Sequence, residues 1–196
     1  MRTTARLAAT LLTTSIAVAG TATVAAAETT TLKDKASDVL SYTSMKDERG
    51  TVLGYAESVA SGVDLRSLRV KHTKKSVGVT VKFSSLNGDA LPMVSIRLDG
   101  RSKPSRFVVV AGEGKARVID TQETRRCHAP MTVRLGAKGY LNVVVPRSCL
   151  GDPRRVKVSA FAATEGLQDD NAPFLTDAVS PTNVHAQHWT KWLKAS

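Results

Sequence analysis

The sequence predicts an all-β fold: an antiparallel β-sandwich of about seven to nine strands, with one disulfide and a C-terminal tail or short helix. Three observations carry that prediction. Short segments alternate apolar and polar residues with a period of two, and turn-forming residues separate them at regular intervals. No convincing amphipathic helix interrupts the series.

The alternation is strictest in "SVGVTVKF", residues 76–83, where Val77, Val79, Val81 and Phe83 are separated by Gly78, Thr80 and Lys82. The preceding "LRSLRVKH" sets Leu68 and Val70 against Arg69 and Lys71, and "MVSIRLDG" sets Val94, Ile96 and Leu98 against Ser95 and Arg97. Further strand-like runs are "RFVVVA", "ARVIDT", "MTVRL", "YLNVVV" and "RRVKVSAFA". Asn87-Gly88, Asp99-Gly100, Gly112-Glu113-Gly114 and Asp152-Pro153 supply turns between them.

The chain opens with Arg2 and Arg6, then an uncharged run from Leu7 to Ala27 that ends in three alanines before Glu28. A charged start, an apolar stretch and a small-residue exit form a secretory signal peptide over residues 1–27, cleaved after Ala27. Threonine and glycine dilute the run, which argues against a retained membrane anchor. The expected product is secreted. Its residues 28–63 form a weakly patterned lead-in, 64–163 the sandwich core, and 164–196 a tail packing on the domain.

Lys and Arg total 28 against 17 Asp and Glu, a net charge of +11, of which the signal segment carries two. Such a balance points first to nucleic acid. An exported protein instead meets anionic envelope polymers, phospholipid head groups and acidic polysaccharides, so these partners rank above nucleic acid. Excess charge that only maintains solubility is the plainer reading.

Cys127 and Cys149 are the only cysteines. In an exported chain two cysteines read as a disulfide with a single possible pairing. They flank "MTVRL" and "YLNVVV", joined by "GAKG", so a hairpin would bring its open ends together at the two sulfurs. His128 adjoins Cys127, but no second Cys–His group accompanies it, which argues against a metal site.

If the valine and leucine positions face the core, the opposite faces receive Arg69, Lys71, Lys82, Arg97, Arg134 and Lys157. These six are the candidate polymer-binding residues, and their attraction for phosphate or carboxylate chains would depend steeply on salt. Asp34, Asp38 and Asp64 are candidate oxygen ligands for calcium, although they match no defined calcium loop, and turn or capping roles explain Asp34 and Asp38 equally well. No cofactor is otherwise assigned. His185 and His188 stand in H-x-x-H spacing, but no third ligand is evident, Asp177 being only a distant candidate, and a polar loop leading into the terminal segment is the plainer account. Trp189 and Trp192, three apart, would share one side of a terminal helix and dock on the domain. No G-x-S-x-G, H-E-x-x-H, P-loop or G-x-G-x-x-G occurs, and carboxylates such as Asp99, Asp120 and Glu123 show no pairing in sequence, so the chain is not read as an enzyme.

The lead-in "DKASDV", the pair "VDLRSLRVKHTKKSVGVTVKF", and "VPRSCLGDPRRVKVSA" followed by "DDNAPF" and a tryptophan-containing end resemble a group of small secreted actinobacterial proteins with no assigned activity. Asp99 closing the strand in "SIRLDG" is similar to sandwich modules of the DOMON and family-9 carbohydrate-binding type. The heme ligands of some DOMON domains do not carry over, since no matching Met/His pair is present, and no aromatic sugar cleft can be placed. The resemblance carries no activity and establishes no ligand; charge, compartment and the missing catalytic motifs together point to an exported, non-enzymatic binding or envelope-associated module for anionic or glycan polymers. The alternative is a secreted inhibitor or interaction domain that docks on another protein.

Overall fold

The computed structural model describes residues 27–99, 106–110, 114–121, 126–168, 171–181 and 188–196. The signal-peptide reading of residues 1–26, the turn residues Gly100, Gly112 and Glu113, and also Glu123 and His185, lie outside the described residues.

Strands β1 (Glu28–Lys33), β2 (Leu40–Tyr42) and β3 (Thr51–Val52) precede a single helical turn and a half, α1 (Tyr55–Ser61). Then come β4 (Leu65–His72), β5 (Ser76–Phe83), β6 (Ser85–Leu86), β7 (Ala90–Leu98), β8 (Arg106–Val110) and β9 (Lys115–Asp120). The chain continues through β10 (Arg126–Arg134), β11 (Gly136–Ala137), β12 (Tyr140–Pro146), β13 (Arg155–Thr164), β14 (Phe174–Ala178) and β15 (Leu193–Lys194). Thirteen strands form one curled antiparallel sheet in the order β1-β4-β5-β12-β10-β9-β8-β7-β13-β14-β2-β3, with β15 added on β13. β6 and β11 form a separate pair.

The sheet curls through β10. Its first half, Arg126–Pro130, pairs with β9, and its second half, Met131–Arg134, pairs with β12. Pro130 stands at the changeover, where a residue without an N–H cannot continue a ladder. The Cys127–Cys149 disulfide, with Cα atoms 6.0 Å apart, spans the place where β10 has left β12. The hairpin expected from "MTVRL" and "YLNVVV" is present, in the register Met131↔Val143 to Arg134↔Tyr140. The staple therefore closes a seam in the sheet as well as the hairpin.

Period-two alternation sends one face of every long strand inward. Leu68 and Val70 of β4, Val77, Val79 and Val81 of β5, and Val143 and Val145 of β12 are buried on one side of the curl. Val94 and Ile96 of β7, Phe107 of β8, and Val156 and Val158 of β13 join them in the same cluster. Curling brings β4 against β13 and β15. Each such side chain contributes about 1.5–3 kcal/mol on burial, so this cluster dominates the fold's stability.

The fifteen strands among the described residues exceed the seven to nine expected. Five of them (β2, β3, β6, β11 and β15) hold only two or three residues, too few for an alternating pattern to register. The lead-in also contributes strand β1, whose threonine-rich "ETTTLK" carries little apolar signal. Two further expectations are corrected. α1 interrupts the strands, with Glu57 Oε2 accepting from the Gly54 N–H at 3.1 Å and Gly62 closing the helix at φ 78°. The described end of the tail, residues 188–196, is extended and contains no helix. β14 pairs only with Phe161–Ala163, which leaves Arg155 and Val156 of β13 to be paired by β15.

Candidate functional site

The strand order divides the six cationic candidates between two faces. Arg69, Lys71, Lys82 and Arg134 are exposed on the outer side of β4, β5 and β10. There Lys82 stands opposite Tyr140, and Tyr140 opposite Arg134, in one cross-strand row. The neighbouring row runs Arg69, Thr80, Asn142, Thr132, with the Thr80 hydroxyl donating to Asn142 Oδ1 at 3.0 Å. A groove of about 650 Å³ crosses this face. Four cations, Arg66, Lys82, Arg134 and Lys138, share its wall with Tyr140, and among the described residues no carboxylate lines it.

Arg66, Lys138 and Tyr140 escape a reading by alternation. Arg66 reaches the surface through a register shift between Leu65 and Ser67. Lys138 sits in the "GAKG" turn in a left-handed conformation, φ 54°. Tyr140 carried a strand signal but no chemical one.

Arg97 and Lys157 occupy the other half of the sheet. Arg97 of β7 faces Lys157 of β13 on one side and Arg106 of β8 on the other, a row of like charges that is unfavourable by itself. The C-terminal tryptophans relieve it. The guanidinium carbons of Arg97 and Arg106 lie 5.3 and 5.7 Å from the Trp189 ring centre. Lys157 Nζ and the Arg155 guanidinium lie 5.1 and 5.7 Å from that of Trp192. Asp99 adds an ion pair to Arg155 at 3.8 Å. Leu193, between these contacts and the core, is fully buried against the β13 side. The tryptophans thus pack on the outer face among cations rather than along one side of a helix.

The aspartates converge at one end of the sheet. Asp34 follows β1, Asp38 precedes β2, Asp64 precedes β4, and Asp177 lies in β14. Asp38, Asp64 and Asp177 are 1, 0 and 3 % exposed. Asp177 Oδ2 accepts from the Leu65 N–H at 2.6 Å, and Asp64 Oδ1 from the Ser37 N–H at 3.0 Å. The Ser84 hydroxyl donates to Asp64 Oδ2, and the Ser180 N–H to Asp34 Oδ1. Asp34 Oδ2 and both oxygens of Asp38 are buried with no hydrogen-bond partner. One carboxylate oxygen from each of Asp34, Asp38 and Asp177 lies within 4.8 Å of the other two.

Burial pushes Asp34 up to about 8, against the Ser180 N–H that favours its ionised form. Burial, followed by the Asp64 charge, lifts Asp38 to about 6. Burial and then the Asp34 charge raise Asp177 to about 9. Three carboxyls that resist ionisation in one spot can be satisfied by protons or by a cation. Asp177, in sequence only a distant candidate beside the H-x-x-H pair, stands with Asp34 and Asp38. The pairing of β13 with β14, and of β14 with β2, brings it there, and no local signal announces that.

A second groove, of about 540 Å³, lies on the β7–β8–β13 side, with Tyr42, Met93, Val108 and Phe161 in its wall. Comparison with protein-family models, with curated proteins and with solved structures finds no match.

Proposed function

We propose that the protein is an exported, non-enzymatic β-sandwich module that binds anionic polymers of the cell envelope. In this reading the two halves of the curled sheet pack as the layers of the sandwich, and the outer face of β4, β5, β12 and β10 is the binding surface. One observation carries the proposal: four cations and a tyrosine share a groove that, among the described residues, no carboxylate lines. Strands lie about 4.8 Å apart, so Lys82 and Arg134, two strands from each other, are spaced about 10 Å, a span suited to successive charges on an extended polymer. Tyr140 between them offers a ring to a sugar, and Thr80, Asn142 and Thr132 offer hydroxyl and amide partners. Of the six candidates, Arg69, Lys71, Lys82 and Arg134 belong to this surface, whereas Arg97 and Lys157 are engaged by the tail.

The displaced carboxyls that an acid–base enzyme would need are buried in the aspartate cluster, and none of them lines either groove. The disulfide suits an oxidising compartment. Among the described residues no helix is long and apolar enough to cross a membrane. The second reading, docking on another protein, is favoured by the second groove, whose wall combines Tyr42, Met93, Val108 and Phe161 with Glu48 and Arg106. Salt separates the two, because charge-driven binding weakens with ionic strength and a packed apolar interface does not.

The test is co-sedimentation of residues 28–196 with isolated bacterial cell walls and with neutral polysaccharides at about 20 and about 500 mM salt, which shortens the screening length severalfold. Binding to walls at low salt, lost at high salt and in Lys82→Glu and Arg134→Glu but retained in Arg97→Glu, is the expected result. Absence of sedimentation with any polymer at low salt would overturn the proposal.

A further inference from the structure

The aspartate cluster sets a problem that the protein's own atoms do not solve. Asp38 is 1 % exposed, and neither of its oxygens meets a donor. A protonated carboxyl would still need an acceptor for its hydrogen, and an ionised one would need donors or a counter-charge. The charges of Lys35 and Arg66 favour the ionised form, but burial and the Asp64 charge outweigh them. Asp34 repeats the pattern at half scale, since Oδ1 is held by Ser180 while Oδ2 is unpartnered. One carboxylate oxygen of each meets one of Asp177, which comes from a strand more than a hundred residues away in sequence.

We propose that Asp34, Asp38 and Asp177 are the protein ligands of a calcium ion that ties the lead-in to β14. Every donor in the group is a hard oxygen, and no histidine or cysteine joins it among the described residues, which selects calcium or magnesium over zinc or copper. The three oxygens lie within 4.8 Å of one another, close enough to share one ion, and three protein carboxylates suit calcium better than magnesium, which usually keeps several waters and takes only one or two carboxylates. Three carboxylates leave the remaining coordination positions to water and backbone carbonyls.

Asp64 has a different part. Its two oxygens are taken by the Ser37 N–H and the Ser84 hydroxyl, so it positions the 34–38 loop that presents Asp38. The Leu65 N–H on Asp177 aligns that ligand in the same way. The ion would cross-link two segments distant in sequence, the loop between β1 and β2 and the end of β14, with β4 joined to them only through the Leu65 N–H on Asp177. Its removal should loosen the lead-in first.

The experiment is thermal unfolding of the purified chain after EDTA dialysis, with calcium chloride, with magnesium chloride, or with EDTA retained, alongside titration calorimetry of calcium into the wild type. At calcium about a hundredfold above its dissociation constant, the unfolding temperature should rise by about 5–10 °C, and calorimetry should show one ion per chain. Asp38→Asn should lose that rise, while Asp89→Asn, on an exposed turn, should keep it. Should Asp38→Asn fail to fold, the calorimetry on the wild type decides. An equal rise with magnesium, a full rise in Asp38→Asn, or neither heat nor shift with calcium would each overturn the assignment.

Discussion

Lys157 of β13 lies directly opposite Arg97 of β7, and each of these cations rests against a different tryptophan of the C-terminal segment. The arrangement turns a repulsive pair into a docking device. Trp192 shares its ring between Lys157 and Arg155, so its removal frees Lys157, in a row that already contains Arg97 and Arg106, and Arg155 two residues along β13. Trp192→Ala should lower unfolding stability by about 1–3 kcal/mol, between the cation–π contribution alone and the cost of emptying a buried aromatic site. Denaturant unfolding measures it. The sharper check is a double-mutant cycle with Lys157→Met, which should return a coupling of about 0.5–2 kcal/mol. A coupling of zero would mean that the ring and the ammonium are merely neighbours.

The disulfide should matter most where β10 changes partner. Cys127 lies in the half of β10 that pairs with β9, and Cys149 in the turn after β12. Cross-linking a loop with a sequence separation of 22 stabilises by about 3 kcal/mol in the chain-entropy model. The double substitution Cys127→Ser, Cys149→Ser should therefore cost about that much. Hydrogen exchange should show fastest opening in Arg126–Pro130, while the β5–β12 ladder stays protected. Uniform loss of protection through both halves would show that the seam is not a separate opening unit.

His72 gives the fold an acid-sensitive point. It is 0 % exposed in β4, its Nδ1–H donates to the Leu193 carbonyl at 2.9 Å, and Nε2 has no partner. Burial, and then the Arg147 charge, hold it below its ordinary 6.5, while the Leu193 carbonyl and Glu28 work in the other direction. Glu28 faces it across the β1–β4 ladder and also binds the Lys191 ammonium at 3.1 Å and the Lys194 N–H. The folded state thus keeps a neutral imidazole that the unfolded chain protonates first. The stability tied to neutral His72 is present above pH 6.5 and is lost as the pH falls from there toward the lowered folded value. The buried aspartates carry the opposite sign, so the measurement is the difference between wild type and His72→Leu at each pH, which cancels them. That difference should shift against the wild type between pH 7.5 and pH 5, a range spanning the ordinary histidine value. A constant difference would show that His72 does not titrate between the states.

How much of this was legible follows from the range of the signals involved. Val77, Val79, Val81 and Phe83 reveal β5 because alternation is local, and Cys127 and Cys149 reveal their bond because two cysteines leave one pairing. β15 is invisible, since two residues cannot alternate, and the three-residue spacing of Trp189 and Trp192 fits a helix, whereas an irregular extended segment before β15 carries both rings onto the outer face. Arg66 is hidden by the register shift that exposes it. The separation of Arg97 and Lys157 from Lys82 depends on strand order, as does the arrival of Asp177 beside Asp38. Both are set by pairings between distant strands that composition does not encode.

Gly139 connects that long-range packing to the proposed surface, and it offers the last test. It lies between Lys138 and Tyr140, its carbonyl accepts the Phe83 N–H at 2.9 Å, and its own N–H donates to Gly136 at 3.0 Å. A β-carbon there would come within 2.5 Å of Leu86 Cβ and 2.8 Å of the Arg134 carbonyl oxygen, too close for either to remain in place. Leu86 is a buried residue of β6, so the turn has to move outward, taking Lys138 and Tyr140 with it. Gly139→Ala should cost about 1–3 kcal/mol of stability, the usual range for overpacking. It should also weaken polymer binding, although it removes no charge. Gly88→Ala, whose β-carbon meets nothing within 4 Å, is the matched control and should leave binding unchanged. If Gly139→Ala lowers the unfolding temperature but binds cell walls as the wild type does, the position of Tyr140 and Lys138 is irrelevant to recognition, and the groove would have to be abandoned in favour of charge spread over the whole face.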